Sequence, residues 1–94
     1  MSFNVKAILK ITFENKCEFA QTIYNSIFAE VINPANIGKI KTNIYFSDDL
    51  CSINIEVFAD TLSHARAFLN SILYLINASL ETLNAIKNMS SYKN

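Results

Sequence analysis

From Phe3 to Phe13 apolar and polar positions alternate, with Phe3, Val5, Ala7, Leu9, Ile11 and Phe13 on one side and Asn4, Lys6, Ile8, Lys10 and Thr12 on the other. A period of two predicts a strand with one buried face. The rhythm then changes. Cys17, Ala20, Ile23, Tyr24, Ile27, Phe28 and Val31 recur at steps of three and four, which predicts an amphipathic helix. Asn15 followed by Glu18 has the spacing of a capping box at its start, with Asn in place of Ser or Thr. Asn33-Pro34 and Gly38 mark its exit and a short loop.

Alternation returns over Lys39 to Ser47, with Ile40, Thr42, Ile44 and Phe46 inward and Lys39, Lys41, Asn43 and Tyr45 outward. Asp48-Asp49 makes a turn, and Cys51, Ile53, Ile55, Val57 and Ala59 carry the inward face onward. The two runs read as a hairpin. The chain closes on a long helix over Asp60 to Lys87, started by Asp60 or Thr61 as cap. Leu62, Ala65, Leu69, Ile72, Leu73, Ile76, Leu80 and Leu83 line its main face, with Phe68, Leu75 and Ile86 beside that stripe. The pattern fits a plain core helix with a wide stripe, and equally one whose flanking row, more apolar surface than one small sheet requires, packs on another chain.

The order β-α-β-β-α with one-sided strands predicts an α+β fold in which both helices cover one sheet face. The first two strands run the same way through a right-handed crossover, and the third lies between them, antiparallel to both. This is a split βαβ arrangement without its usual fourth strand. Its edges are left open to another chain. The expected domain is 1–88, with a polar tail over 89–94.

Composition narrows the reading. Half of the 94 residues are hydrophobic, which predicts a packed globule. The formal net charge is zero, so the whole surface is not built to hold nucleic acid. Cys17 and Cys51 stand far apart with no second Cys or His near either, which is neither a zinc spacing nor a redox pair. At apolar positions of their elements they read as buried free thiols, as in a reducing, cytoplasmic compartment. The first residues lack the pattern of a signal peptide, and the uncharged run from Ala67 to Leu80 is shorter than the roughly 20 residues a membrane span needs.

Little points to catalysis. His64 has no nucleophile or orienting acid near it in sequence and reads as a surface residue. No glycine-rich phosphate loop, metal-binding loop or zinc-protease motif occurs, and no cofactor is implied. An acylphosphatase-like enzyme would need a phosphate cradle, and only Gly38 and Arg66 are at hand. The outward sheet face is more suggestive: Lys6, Lys10, Lys39 and Lys41 gather around Tyr45 and Phe58, against Glu56. Lysines among aromatics can meet RNA phosphates and stack bases. A solvated face with cross-strand charge pairs is the plainer reading.

The run Ser63-His64-Ala65-Arg66-Ala67-Phe68-Leu69-Asn70-Ser71-Ile72-Leu73 resembles the S-x-x-R-A-x-x-N-S-x-L signature of the CTAG/Pcc family, the small dimerisation subunit of the KEOPS complex. Ala20, Tyr24, Ser26-Ile27 and Glu30 resemble that family's A-x-x-x-Y-x-S-L-x-P-E helix, and the element order agrees. The resemblance implies a non-catalytic role. In KEOPS an ATP-using catalytic subunit and a kinase-like subunit serve to place a threonylcarbamoyl group on the adenosine beside the anticodon of certain tRNAs. The small subunit dimerises, binds helices of the catalytic subunit through its own helices, and helps hold tRNA.

On that basis Phe68, Leu75 and Ile86 are candidates for the catalytic-subunit contact, with Arg66, Asn70 and Ser71 as motif residues beside it. Tyr74 stands where the family often has arginine, and Ala29 where it has proline before the glutamate. Both the standard subunit, paired with itself, and a paralogue paired with a different small subunit fit. The family fold has been compared with the KH module, but no GxxG loop is present here.

Overall fold

The structure is a computed structural model and describes residues 3–14, 16–33 and 39–91, the side chains of 86–91 excepted. The order is β1 (Val5–Thr12), α1 (Cys17–Ile32), β2 (Ile40–Ser47), β3 (Ser52–Ala59) and α2 (Leu62–Ser91). The three strands form one sheet in the order β1-β3-β2, with β3 antiparallel to both neighbours. This is the α+β arrangement that the alternation predicts.

Register follows from parity. Ile55 lies between Leu9 and Ile44, and Ala59 between Val5 and Ile40, so every inward residue meets inward residues across the ladder. Both helices lie on that face, α1 over β2 and β3, and α2 over β1 and β3. Ile23, Ile27 and Val31 of α1 meet Ile53, Ile55 and Val57 of β3 and Ala65, Ile72 and Ile76 of α2 in one core. Burying an Ile or Val side chain of this kind contributes about 1.5–3 kcal/mol. Ser52 is the one polar side chain wholly buried among the described residues, and its hydroxyl has no hydrogen-bond partner.

Several expectations need correction. The cysteines are not buried free thiols. Cys17, exposed at the first residue of α1, and Cys51, half-buried in the β2–β3 turn, form a disulfide with Cα atoms 4.7 Å apart. Ser47 pairs with Ser52, so residues 48–51 close the hairpin as a loop, and Cys51 ends it with φ of 48°. Its inward parity was therefore misleading: it precedes β3 instead of starting it. A left-handed backbone at a non-glycine residue costs roughly 1–2 kcal/mol.

The cap of α1 falls at Lys16, which supplies no side-chain hydrogen bond; Asn15 lies outside the described residues, as do Pro34 and Gly38. At α2 the alternatives resolve to Thr61, whose Oγ1 accepts from the His64 amide at 3.2 Å.

The apolar stripe of α2 is also turned from its expected centre. Ala65, Ile72 and Ile76 are buried, and Phe68 and Leu75 pack against the core. Leu62 and Leu73, expected on the main face, are 55% and 42% exposed. The reason is the neighbour. α1 covers the Phe68/Leu75 flank, whereas the opposite flank projects past β1, the edge strand.

Candidate functional site

At 30 residues α2 is about 45 Å long, whereas an eight-residue strand spans about 26 Å. The helix therefore outruns the sheet and presents two flanks that the sheet does not occupy.

On the α1 side an open groove is lined by Thr22 and Ser26 of α1 and by Leu75, Ala78, Ser79, Thr82 and Leu83 of α2. Its hydroxyls are largely satisfied within their own helices. Thr22 donates to the Glu18 carbonyl at 2.9 Å, Ser26 to Thr22 at 2.8 Å and Thr82 to Ala78 at 3.0 Å. Such back-bonding leaves methyl and methylene groups facing the groove. The groove thus asks for an apolar surface and not for a polar ligand. Of the expected contact residues, Leu75 lines it and Phe68 lies in the core packing beneath. The side chain of Ile86 lies outside the described residues.

The opposite flank carries Leu62, Leu69, Leu73 and Leu80, of which Leu69 and Leu80 also reach the core. Arg66 and Asn70 are exposed and follow Leu62 and Arg66 by one turn each, so they border this leucine row. Ser71 falls on the α1 side, where its hydroxyl donates to the Ala67 carbonyl at 3.1 Å. The motif residues are therefore divided between the two flanks. The outer edge of β1 runs along the leucine row, and among the described residues it pairs with no strand. The outer edge of β2 likewise pairs with no strand among the described residues, and Tyr24 packs at 5.6 Å against both Phe28 and Phe46 on the helix-covered side of β2.

The outer sheet face gathers the lysines in part. Lys6 and Lys41 stand on either side of Phe58, and Lys10 and Tyr45 on either side of Asn54. Lys6 lies 5.4 Å from the Phe58 ring centre and 3.8 Å from Glu56 Oε2. Glu56 is the hub, accepting from Asn43 at 3.4 Å and from Tyr45 at 3.3 Å. Its charge, with lesser help from desolvation and that hydrogen bond, raises the Tyr45 hydroxyl above its ordinary value, so Tyr45 remains a donor. Lys39 precedes β2, and its carbonyl accepts from the Asp60 amide.

At the start of α2, His64 Nδ1 lies 2.6 Å from Asp60 Oδ1 and 3.0 Å from Thr61 Oγ1. His64 is thus more constrained than its isolation in sequence suggests: it is part of a cap. Among the described residues no three His, Cys, Asp or Glu side chains gather as a metal site, and no helix is long and apolar enough to cross a membrane.

The groove walls were the part least legible in the sequence. Their signal is a set of small residues on facing helices, Thr22 and Ser26 against Ala78, Ser79 and Thr82, which a search for large apolar residues passes over.

Comparison with known proteins adds one match. The family described as transcription factor Pcc1 matches residues 6–84, from β1 through most of α2. No curated protein matches the chain.

Proposed function

The chain belongs to the Pcc1 family, and from that premise we propose that it is a non-catalytic dimerisation and scaffold subunit of a KEOPS complex. It binds the catalytic ATPase subunit through its helices and so supports threonylcarbamoyl modification of tRNA adenosine in the cytoplasm. The observation that carries this reading is the overlong α2, with an apolar surface on each flank. Two surfaces suit two partners. The α1–α2 groove, with its hydroxyls turned inward, suits a helix of the catalytic subunit packed between α1 and α2. The leucine row and the open edge of β1 suit a second small subunit, either a copy of this chain or a paralogue, since an added strand would pair the edge while its helices cover Leu62 and Leu73. Arg66 and Asn70 would border that contact.

Two substitutions separate these roles. Ala78→Arg puts a long cation into the groove from an exposed position and should abolish capture of the ATPase subunit, with self-association unchanged. Leu73→Glu, on the other flank, should dissociate the small-subunit pair in analytical ultracentrifugation. If Ala78→Arg captured the ATPase subunit as well as the unaltered chain does, the groove would be the wrong surface.

A second reading has one specific observation in its favour, the row in which Phe58 stands between Lys6 and Lys41. It makes the chain a small RNA-binding module whose sheet face stacks bases and meets phosphates. Glu56, at the centre of that face and already engaged by Lys6, weighs against it.

A further inference from the structure

The disulfide joins the start of α1 to the end of the β2–β3 loop, two places also linked through Phe13, whose amide donates to the Cys51 carbonyl at 2.9 Å and whose carbonyl accepts from the Lys16 amide at 3.2 Å. Cys17 opens α1, whose cap position is Lys16, a side chain that accepts no hydrogen bond and places positive charge at the positive end of the helix dipole. Cys51 ends the β2–β3 loop in the left-handed conformation that glycine or asparagine adopts more readily. Neither sulfur belongs to the core, which is built from isoleucine, valine and alanine side chains. Cys17 is exposed and Cys51 half-buried, so a small reagent can reach the bond.

We propose that Cys17 and Cys51 form a reversible redox modification site that takes a low-molecular-weight disulfide as oxidant and, when oxidised, acts as a covalent cap on α1. In the reduced chain the Cys17 thiolate attacks one sulfur of the small disulfide. A mixed disulfide forms and one small thiolate leaves. The Cys51 thiolate then attacks the Cys17 sulfur and expels the second. The protein gives up two protons and two electrons, and the small disulfide takes them up as two thiols. The bonded pair holds its Cα atoms 4.7 Å apart, within the span that a disulfide allows. Reduction leaves the core packed and frees only the first turn of α1 and the loop. This holds whichever partner the groove takes.

The test equilibrates the full chain in glutathione buffers of graded ratio. Alkylation mass spectrometry reads the thiols, thermal melts read stability, and hydrogen exchange reads the amides of residues 17–20. The two thiols should be lost together within a monomer, and both end states should keep the same far-ultraviolet dichroism. The oxidised form should melt higher by about 15 °C and exchange more slowly at the start of α1. Cys51→Gly removes the bond and relaxes the loop at once, so it should melt between the reduced and oxidised chains. Cys17→Ser should form no intrachain bond at any glutathione ratio, taking at most one glutathione on Cys51, and should lose the higher melting temperature of the oxidised chain. Thiols that stay free in excess glutathione disulfide would overturn the proposal. So would a bond formed only between chains, or a Cys51→Gly chain that melts above the oxidised one.

Discussion

Asp60 leaves β3 as α2 begins, and its carboxylate accepts from His64 one turn along the chain. That hydrogen bond, with the His64 charge as a further cause and desolvation opposing, holds the Asp60 carboxyl below its ordinary value. A carboxyl lowered in the folded chain binds fewer protons there than when unfolded. Its stabilisation is therefore present above the unfolded value, near pH 4, and is lost as pH falls through the lowered folded value. Asp60→Asn should accordingly be less stable than the unaltered chain at pH 5–6, with the difference closing in strong acid; urea melts across that range check it. The pair was hidden in sequence because Asp60, Thr61 and His64 each read as an ordinary surface or cap residue. Only the turn from strand to helix brings the imidazole onto the carboxylate.

At the scale of elements, the sheet uses one residue type in two opposed ways. Ile55, at the centre of β3, is wholly buried between Leu9 and Ile44, whereas Ile8 on β1 is 61% exposed on the outer face. Ile55→Ala should destabilise the chain by about 2–5 kcal/mol, through lost burial and the cavity left behind. Ile8→Ala should stay within roughly 0.5 kcal/mol. Equal losses in denaturant titrations would mean that the outer face is covered in solution. This division was legible, because parity alone sends position 8 and position 55 to opposite faces. The helices were less so. Leu62 reads as part of the main face of α2 and Phe68 as its flank, and nothing local says that α1 will cover Phe68 and leave Leu62 exposed.

For the molecule as a whole, the lysine-bearing face lies on the side of the sheet away from both helices, apart from the flanks of α2. Lys6, Lys10, Lys39 and Lys41 changed together to Glu should abolish whatever tRNA binding the chain has, and binding by the unaltered chain should fall steeply with salt. Filter binding at graded ionic strength reads both; tRNA retention by the quadruple variant would remove that face from the account. Zero net charge already limits how strong such binding can be without a partner.

By itself the amino-acid order determined what depends on neighbours within a turn or a strand. Alternation set the three strands and their faces, and three-and-four spacing set the two helices. Together these required β3 between β1 and β2, with both helices on one side. The signature around Arg66, Asn70 and Ser71 pointed to the family that spans residues 6–84. Tertiary structure alone decided the rest. The pairing of Cys17 with Cys51 depends on a hairpin loop meeting a helix start across 34 residues of chain. Which flank of α2 is buried depends on where α1 lies, and the groove exists only between the two helices. Periodicity is a steric property of the local backbone, whereas these contacts arise from how separate elements pack, and no local spacing encodes that distance.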